Sequence, residues 1–164
     1  MMAVKTLSDL FHDTLRDIYY AEKQILKALP KMARGAQSAE LKAAFEKHRT
    51  ETVGQVDRLE QVFAIIDKKP RGKKCEAIEG ILAEGDEALK DYQDSPALDA
   101  ALISSAQAVE HYEITRYGTL RRWATVLGLK EAVKLLDETL QQEGATDESL
   151  TALADAAANV EALG

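Results

Sequence analysis

Six side chains with oxygen donors fall at helical spacing within otherwise apolar stretches of the chain. Five are carboxylates and one is an amide: Glu22, Glu51, Gln55, Glu113, Glu143 and Asp147. A carboxylate that faces a protein core costs free energy unless a basic partner, a shared proton or a metal ion compensates for it. If the helices bring these donors together, the pattern therefore predicts a metal-binding site in the core.

The segment 103–127 carries the clearest example of this pattern. Steps of three and four residues connect Ile103, Ala106, Glu110, Glu113, Tyr117, Leu120, Ala124 and Leu127. Such a stripe is typical of a core-facing helix, and here two acids lie at its centre. Alternatively, the stripe is displaced by one position and both acids face water. The choice depends on whether other helices repeat the pattern.

Two helices are predicted before this segment. The first begins after a capping box at residues 6–9, and Glu22 interrupts its apolar stripe. Pro30 is expected to end or bend this helix. The second begins at the N-cap Ser38 and runs to about Asp67. Its buried face is predicted to contain the following residues: Leu41, Phe45, His48, Thr52, Gln55, Leu59, Val62 and Ile66. Glu51 lies beside this face.

The second half of the chain is predicted to repeat this arrangement after a connector. Residues 68–74 form a basic loop, which is interpreted as a solvated turn, and a short helix with two glycines follows over 75–92. Ser95 is the predicted N-cap of the long helix that carries Glu113, and Gly128 is predicted to close it. The last helix begins near Lys130, with Gly144 as a possible break.

The spacing of the acids supports an internal repeat. Glu22 and Glu51 are 29 residues apart, and Glu113 and Glu143 are 30 apart. The second helix of each half then has another oxygen donor four residues later. Residues four apart share a helix face, so each half is predicted to supply one lone glutamate and one doublet. This is the pattern of a four-helix bundle with a di-metal carboxylate site. Oxygen donors favour two ions of iron or manganese over zinc or copper.

Length and composition predict an all-α protein with a single domain over residues 1–164. The predicted architecture is a four-helix bundle with a short additional helix between the two helix pairs. The net charge of −7 argues against binding to nucleic acid, and no apolar run is long enough to span a membrane. Cys75 is the only cysteine, so no intrachain disulfide is expected, and a cytoplasmic location is the default expectation.

With these residues placed, the whole chain resembles the YciE/YciF family of ferritin-like stress-response proteins. The most specific segments are Asp17–Glu22, Gly72–Glu76, Val109–Glu113 and Glu143–Asp147. The resemblance implies a ferritin-like bundle similar to rubrerythrin, a di-iron centre, frequent formation of a homodimer and a link to stress. It does not imply a particular reaction.

Two classes of function remain open from the sequence. The favoured one is a small oxidoreductase or iron-handling protein that oxidises Fe(II) or reduces peroxide or O₂ at the metal pair. The alternative is a non-catalytic structural or interaction protein with buried acids or a structural metal. A cage-forming mini-ferritin is less favoured, because all the predicted donors lie in one chain.

Several other polar residues lie close to the predicted ligands. Tyr20, His48 and Tyr117 are candidates for hydrogen bonding to them, although a half-buried helix face also favours tyrosine. His48 and Glu110 are left open as ligands. Because the repeat offsets select Glu113, Glu110 is expected to contribute less. His111 is expected to lie at the surface or at an interface.

Overall fold

The computed structural model describes residues 3–164, and all regular secondary structure within that range is helical. Five helices and a short C-terminal segment follow one another: α1 (Leu7–Gly35), α2 (Ala39–Ile65), α3 (Glu76–Asp91), α4 (Leu98–Val126), α5 (Lys130–Leu153), a π-helical turn (Ala154–Ala158) and α6 (Asn159–Glu161). The predicted all-α class is therefore confirmed.

Helix α1 begins as predicted and continues past Pro30. The backbone N–H of Thr6 donates to the Asp9 carboxylate at 2.7 Å, which completes the expected capping box. The helix continues through Pro30 to Gly35, so the proline does not end it, and a bend at Pro30 stays a prediction. A proline removes only one helical hydrogen bond, and burial of Leu29 and Met32 holds the last turns against the core.

Ser38 and Gly128 mark helix ends as predicted, whereas Ser95 does not. Ser38 caps α2 by accepting a hydrogen bond from the N–H of Leu41 at 3.1 Å, as predicted. Gly128, with φ of +74°, closes α4 in the left-handed region. Ser95 does not cap α4: its hydroxyl accepts from Ala97 N–H in a preceding turn, and the helix begins at Leu98. Helix α5 passes through Gly144 without a break.

Two helix pairs form the bundle. Helices α1 and α2 pack together, as do α4 and α5, and each pair is joined by a three-residue turn. Contacts of α2 with α5 and of α1 with α4 close the four-helix arrangement, while α3 packs outside it against α1 and α4. The predicted bundle with an additional helix between the pairs is confirmed.

Asp99 connects the two halves at one end of the bundle. Its carboxylate, which is buried on α4, accepts hydrogen bonds from the backbone N–H groups of Gln37 and Ser38 at 2.7 and 2.9 Å. These donors lie in the turn before α2, where N–H groups have no helical partner. Among residues 3–164, no helix is long and apolar enough to cross a membrane.

Candidate metal centre

Four glutamates lie in the interior of the bundle. Glu22 comes from α1, Glu110 and Glu113 from α4, and Glu143 from α5, and all four are fully buried. None of their carboxylate oxygens has a hydrogen-bond partner among the described residues. Buried polar atoms in proteins are nearly always paired, so these eight oxygens require either protons shared among the carboxyl groups or a cation.

His48 from α2 completes the cluster. Its Nε2 lies 2.8 Å from Oε1 of Glu110, but the two atoms are not aligned as a hydrogen bond. A ring nitrogen of His48 and carboxylate oxygens of Glu113 and Glu143 also lie within 4.8 Å of one another. Close but unaligned donor atoms are expected when several side chains face a common point, as ligands of one ion do.

Burial changes the protonation of these acids. It raises the pKa of Glu22 to about 8, and the nearby charge of Glu143 adds to the effect. Burial likewise raises the pKa of Glu110 to about 8. For Glu113 and Glu143 the pKa lies well above the usual range, again first because of burial. In the absence of a cation, these acids therefore retain protons near neutral pH, since four adjacent carboxylates cannot all ionise.

The residues present fit a cation well. A divalent ion replaces the retained protons, neutralises the carboxylates and occupies the oxygens that no protein group satisfies. Carboxylates with one imidazole form a donor set typical of iron and manganese. The four helices therefore provide a buried His–Glu cluster that could hold a metal.

In each of the two predicted doublets, one residue is buried and the other is partly exposed. Gln55 is buried, and its Oε1 is unpaired, while its amide donates to Gln142 on α5 at 3.3 Å. Glu143 lies in the cluster. Their predicted partners, Glu51 and Asp147, are instead partly exposed, with about a fifth of each side chain accessible.

Glu51 and Asp147 both have other partners at the rim of the cluster. Glu51 accepts a hydrogen bond from Thr146 at 3.2 Å, and Asp147 accepts one from Gln107 at 3.3 Å. Their charges nevertheless contribute to raising the pKa of Glu110, which places both acids near it. Their role as ligands stays a prediction, and the structure does not group them with the buried acids.

The two candidate tyrosines lie in different environments. Tyr117 is fully buried, and burial followed by the charge of Glu22 raises its pKa well above the usual range. Tyr20 instead donates its hydroxyl to Glu79 of α3, so a hydrogen bond from Tyr20 to a ligand stays a prediction that this arrangement does not show. Residues two apart on a helix point to different faces, which separates Tyr20 from Glu22.

The position of each histidine around its helix axis distinguishes His48 from His111. His48 lies on the predicted buried stripe of α2, and the structure places it among the acids instead of in a merely supporting position. His111 is largely exposed and lies 3.2 Å from Asp147 at the surface, as expected. Glu110 is as completely buried as Glu113, so the lesser role expected from the repeat offsets has no structural basis.

Comparison with known proteins assigns the chain to a family. The family model described as a domain of unknown function, DUF892, matches residues 6–163. The chain belongs to this family. The protein YciF of Escherichia coli strain K12 is 46% identical to this chain over 154 residues, covering 93% of each chain. The predicted resemblance is therefore confirmed.

Solved structures similar to this chain show the same fold. The crystal structure of the E. coli stress protein YciF matches with a TM-score of 0.88 and 46% identity, covering 92% of this chain and 96% of that one. The YcfI protein of Rhodopseudomonas palustris matches with a TM-score of 0.87 and 47% identity, covering 90% and 94%. The latter carries a provisional description as a structural protein.

Proposed function

We propose that this protein is a stress-related oxidoreductase whose bundle core binds two iron or manganese ions. In the iron form it would oxidise Fe(II) or reduce peroxide or O₂. The observation that carries this proposal is the cluster of four fully buried glutamates whose oxygens have no hydrogen-bond partner among the described residues. The stress description of the E. coli relative, at 46% identity, supports the physiological setting.

The chain's own residues have distinct roles in this proposal. Glu22, Glu110, Glu113, Glu143 and His48 would hold the ions. When bound, the ion pair supplies one-electron chemistry towards O₂ or peroxide without an organic cofactor. On loading, the acids release the protons that their raised pKa values retain, so binding strengthens as pH rises.

Four further side chains around the buried acids would add to the donor set or hydrogen-bond to it. Buried Gln55 offers a neutral oxygen, which holds a dication less strongly than a carboxylate. Glu51 and Asp147 remain predicted ligands that would have to turn inwards from their present partners. The buried hydroxyl of Tyr117, which has no partner among the described residues, would donate to a ligand carboxylate such as that of Glu22.

Metal analysis followed by controlled oxidation tests the proposal. Metal-free protein is incubated anaerobically with excess Fe(II), desalted and analysed, and we expect about two irons per chain. Air or peroxide should then produce ferric absorption in the near ultraviolet within seconds to minutes. Glu143→Ala should suppress both uptake and oxidation, whereas Glu148→Ala, an exposed acid on the same helix, should leave both unchanged.

A structural role is the second candidate, favoured by the description of the R. palustris relative. In that case the acids, or a metal that they bind, would only stabilise the bundle. Protein that holds two irons but stays ferrous in air, and reacts with peroxide no faster than free Fe(II), would establish this alternative. Protein that takes up no iron would overturn the metal site itself.

Assembly and location complete the proposal. We expect a homodimer, because the family resemblance implies one, and light scattering of the purified protein measures it directly. We also expect a cytoplasmic location, which fractionation of cells that produce the protein would test.

A further inference from the structure

The loop between α2 and α3 concentrates positive charge on an acidic protein. Residues 68–74 contain five of the chain's 21 basic residues and no acid, while the whole chain has a net charge of −7. Every residue of this segment, hereafter the basic loop, is exposed. Only one of its five cations has an ion-pair partner among residues 3–164: Lys74 lies 3.4 Å from the exposed Glu76. The other four side-chain charges are therefore available to a partner.

The basic loop is held against the bundle in a fixed position. The backbone N–H of Lys73 donates to the carbonyl of Arg16 on α1 at 3.1 Å. Gly72 lies directly on Tyr20, since a Cβ at that glycine would be 3.1 Å from the tyrosine Cβ and 3.3 Å from its Cα. A glycine permits this close approach of the loop to the helix. The cations consequently project from a defined surface.

The basic loop leads directly into the interior. It ends at Cys75, which is buried, and the Sγ of Cys75 lies 3.0 Å from the hydroxyl of Tyr112. Tyr112 is a residue of α4 and immediately precedes Glu113, one of the buried acids of the cluster. A continuous series of covalent bonds and one close contact therefore connects the charged surface to the candidate metal centre.

We infer that the basic loop is the docking surface for an acidic protein that carries single electrons, and that Cys75 and Tyr112 connect this surface to the metal centre. The inference rests on the proposed function, because a site that reduces peroxide or O₂ must be resupplied with electrons. With iron bound, each encounter would transfer one electron from the reduced carrier, which would thereby be oxidised, to one ferric ion, which would become ferrous. No bond forms or breaks at Cys75 or Tyr112, because the packed atoms serve only as the path.

Charge favours a small acidic protein over a nucleic acid. Positive charge attracts an acidic partner and accelerates its association, more strongly at low ionic strength. The basic loop is only seven residues long, and the rest of the chain is strongly acidic. A nucleic acid extends over many phosphates and would meet that negative surface, whereas a compact acidic carrier can contact the basic loop alone.

Titration with a plant-type [2Fe–2S] ferredoxin, an acidic one-electron carrier, tests the docking surface on the metal-free protein. One variant replaces Lys68, Lys69, Arg71, Lys73 and Lys74 with glutamine. A matched control also replaces five cations with glutamine. These cations are exposed, lie outside the basic loop and have no ion pair among the described residues: Lys27, Lys42, Lys90, Arg122 and Lys130. Both variants have the same net charge. Calorimetry at low ionic strength should show binding that weakens about tenfold or more in the loop variant and little in the control.

Three results of this titration would overturn the docking surface. One is wild-type protein that does not bind the ferredoxin at low ionic strength. Another is an equal loss of affinity in the two variants, which would show that only net charge matters. The third is tighter binding of a short DNA duplex than of the ferredoxin, which would identify a nucleic acid as the partner. Each is independent of metal, so it is distinguishable from failure of the proposed function.

The path is tested on iron-loaded protein with Tyr112→Phe, which removes the hydroxyl that contacts Cys75. Stopped-flow loss of ferric absorption, with the reduced ferredoxin as donor, should slow several-fold, while the affinity for ferredoxin is unchanged. Tyr92→Phe, at an exposed tyrosine, is the control and should reduce at the wild-type rate. Equal rates in Tyr112→Phe and wild type would overturn the path through Cys75 and Tyr112.

Discussion

His48 and Glu110 face each other inside the bundle, with Nε2 of the histidine 2.8 Å from Oε1 of the glutamate. The histidine comes from α2 and the glutamate from α4, so the contact joins the two halves of the chain. Because the two atoms are close but not aligned as a hydrogen bond, the contact fits two side chains that could hold one metal ion. It also makes His48 a critical residue of the candidate site.

Replacement of His48 should weaken metal binding. His48→Ala removes the only imidazole that the structure places with Glu113 and Glu143, so we expect the affinity for Fe(II) or Mn(II) to fall by about tenfold or more. His12→Ala is the matched control, because that histidine lies ten residues before Glu22 on α1 and packs edge-on against Phe63. Anaerobic calorimetric titration measures both affinities. Similar losses in the two variants would contradict the placement of His48 in the site.

Glu110 and Glu113 should contribute comparably to stabilisation by metal. Saturating metal should raise the melting temperature of the wild-type protein, because it binds only the folded state tightly. Glu110→Ala and Glu113→Ala should each remove most of that rise, since both acids are fully buried with unpaired oxygens. Glu84→Ala, at an exposed acid of α3, is the control. Differential scanning fluorimetry with and without metal measures the rise in melting temperature for each variant. A large loss of that rise in Glu113→Ala alone would support the prediction from the repeat offsets that Glu113 contributes more than Glu110.

The metal-free protein should lose stability as pH rises. The pKa of Glu22 and of Glu110 is about 8 in the folded state and 4.5 in the unfolded chain, so the folded state binds more protons between these values. The free energy of unfolding must therefore decrease as pH increases from about 4.5 to about 8. Melting temperatures measured in the presence of a chelator at pH 5 and pH 8 should show this decrease.

An isosteric substitution provides the control for the pH effect. Glu110→Gln keeps the shape of the side chain but cannot ionise, so the dependence of the melting temperature on pH should become shallower. Saturating metal should also oppose the decrease, because metal binding strengthens as the acids lose protons. A metal-free wild-type protein that is more stable at pH 8 than at pH 5 would contradict the raised pKa values.

Loss of Asp99 should destabilise the fold without affecting metal chemistry. Asp99→Ala leaves the N–H groups of Gln37 and Ser38 without their carboxylate partner, which should reduce the free energy of unfolding by about 2–3 kcal/mol. Asp91→Ala, at an exposed position, should change it by less than about 0.5 kcal/mol. Urea unfolding measures the midpoint of each variant. Indistinguishable midpoints for Asp99→Ala and Asp91→Ala would show that Asp99 does not stabilise the turn before α2.

The sequence by itself determined the helices, the bundle and most of the buried stripe on each helix. On α2 the predicted stripe of Phe45, His48, Thr52, Gln55 and Leu59 is buried throughout. This succeeds because a helix of fixed period must turn its apolar residues towards one core. Caps such as Ser38 and Gly128 could also be predicted from the sequence, because a cap interacts with residues only a few positions away in the chain.

Only the tertiary structure decided which polar residues at the edge of each stripe face inwards. The repeat offsets selected Glu51 and Asp147, yet these two acids lie at the rim of the cluster and are partly exposed. An edge residue can turn towards the core or towards water, and the rotation and crossing of neighbouring helices determine which. Those are fixed by contacts between residues far apart in the chain, such as Arg58 with Thr139 at 2.9 Å, which no local spacing encodes.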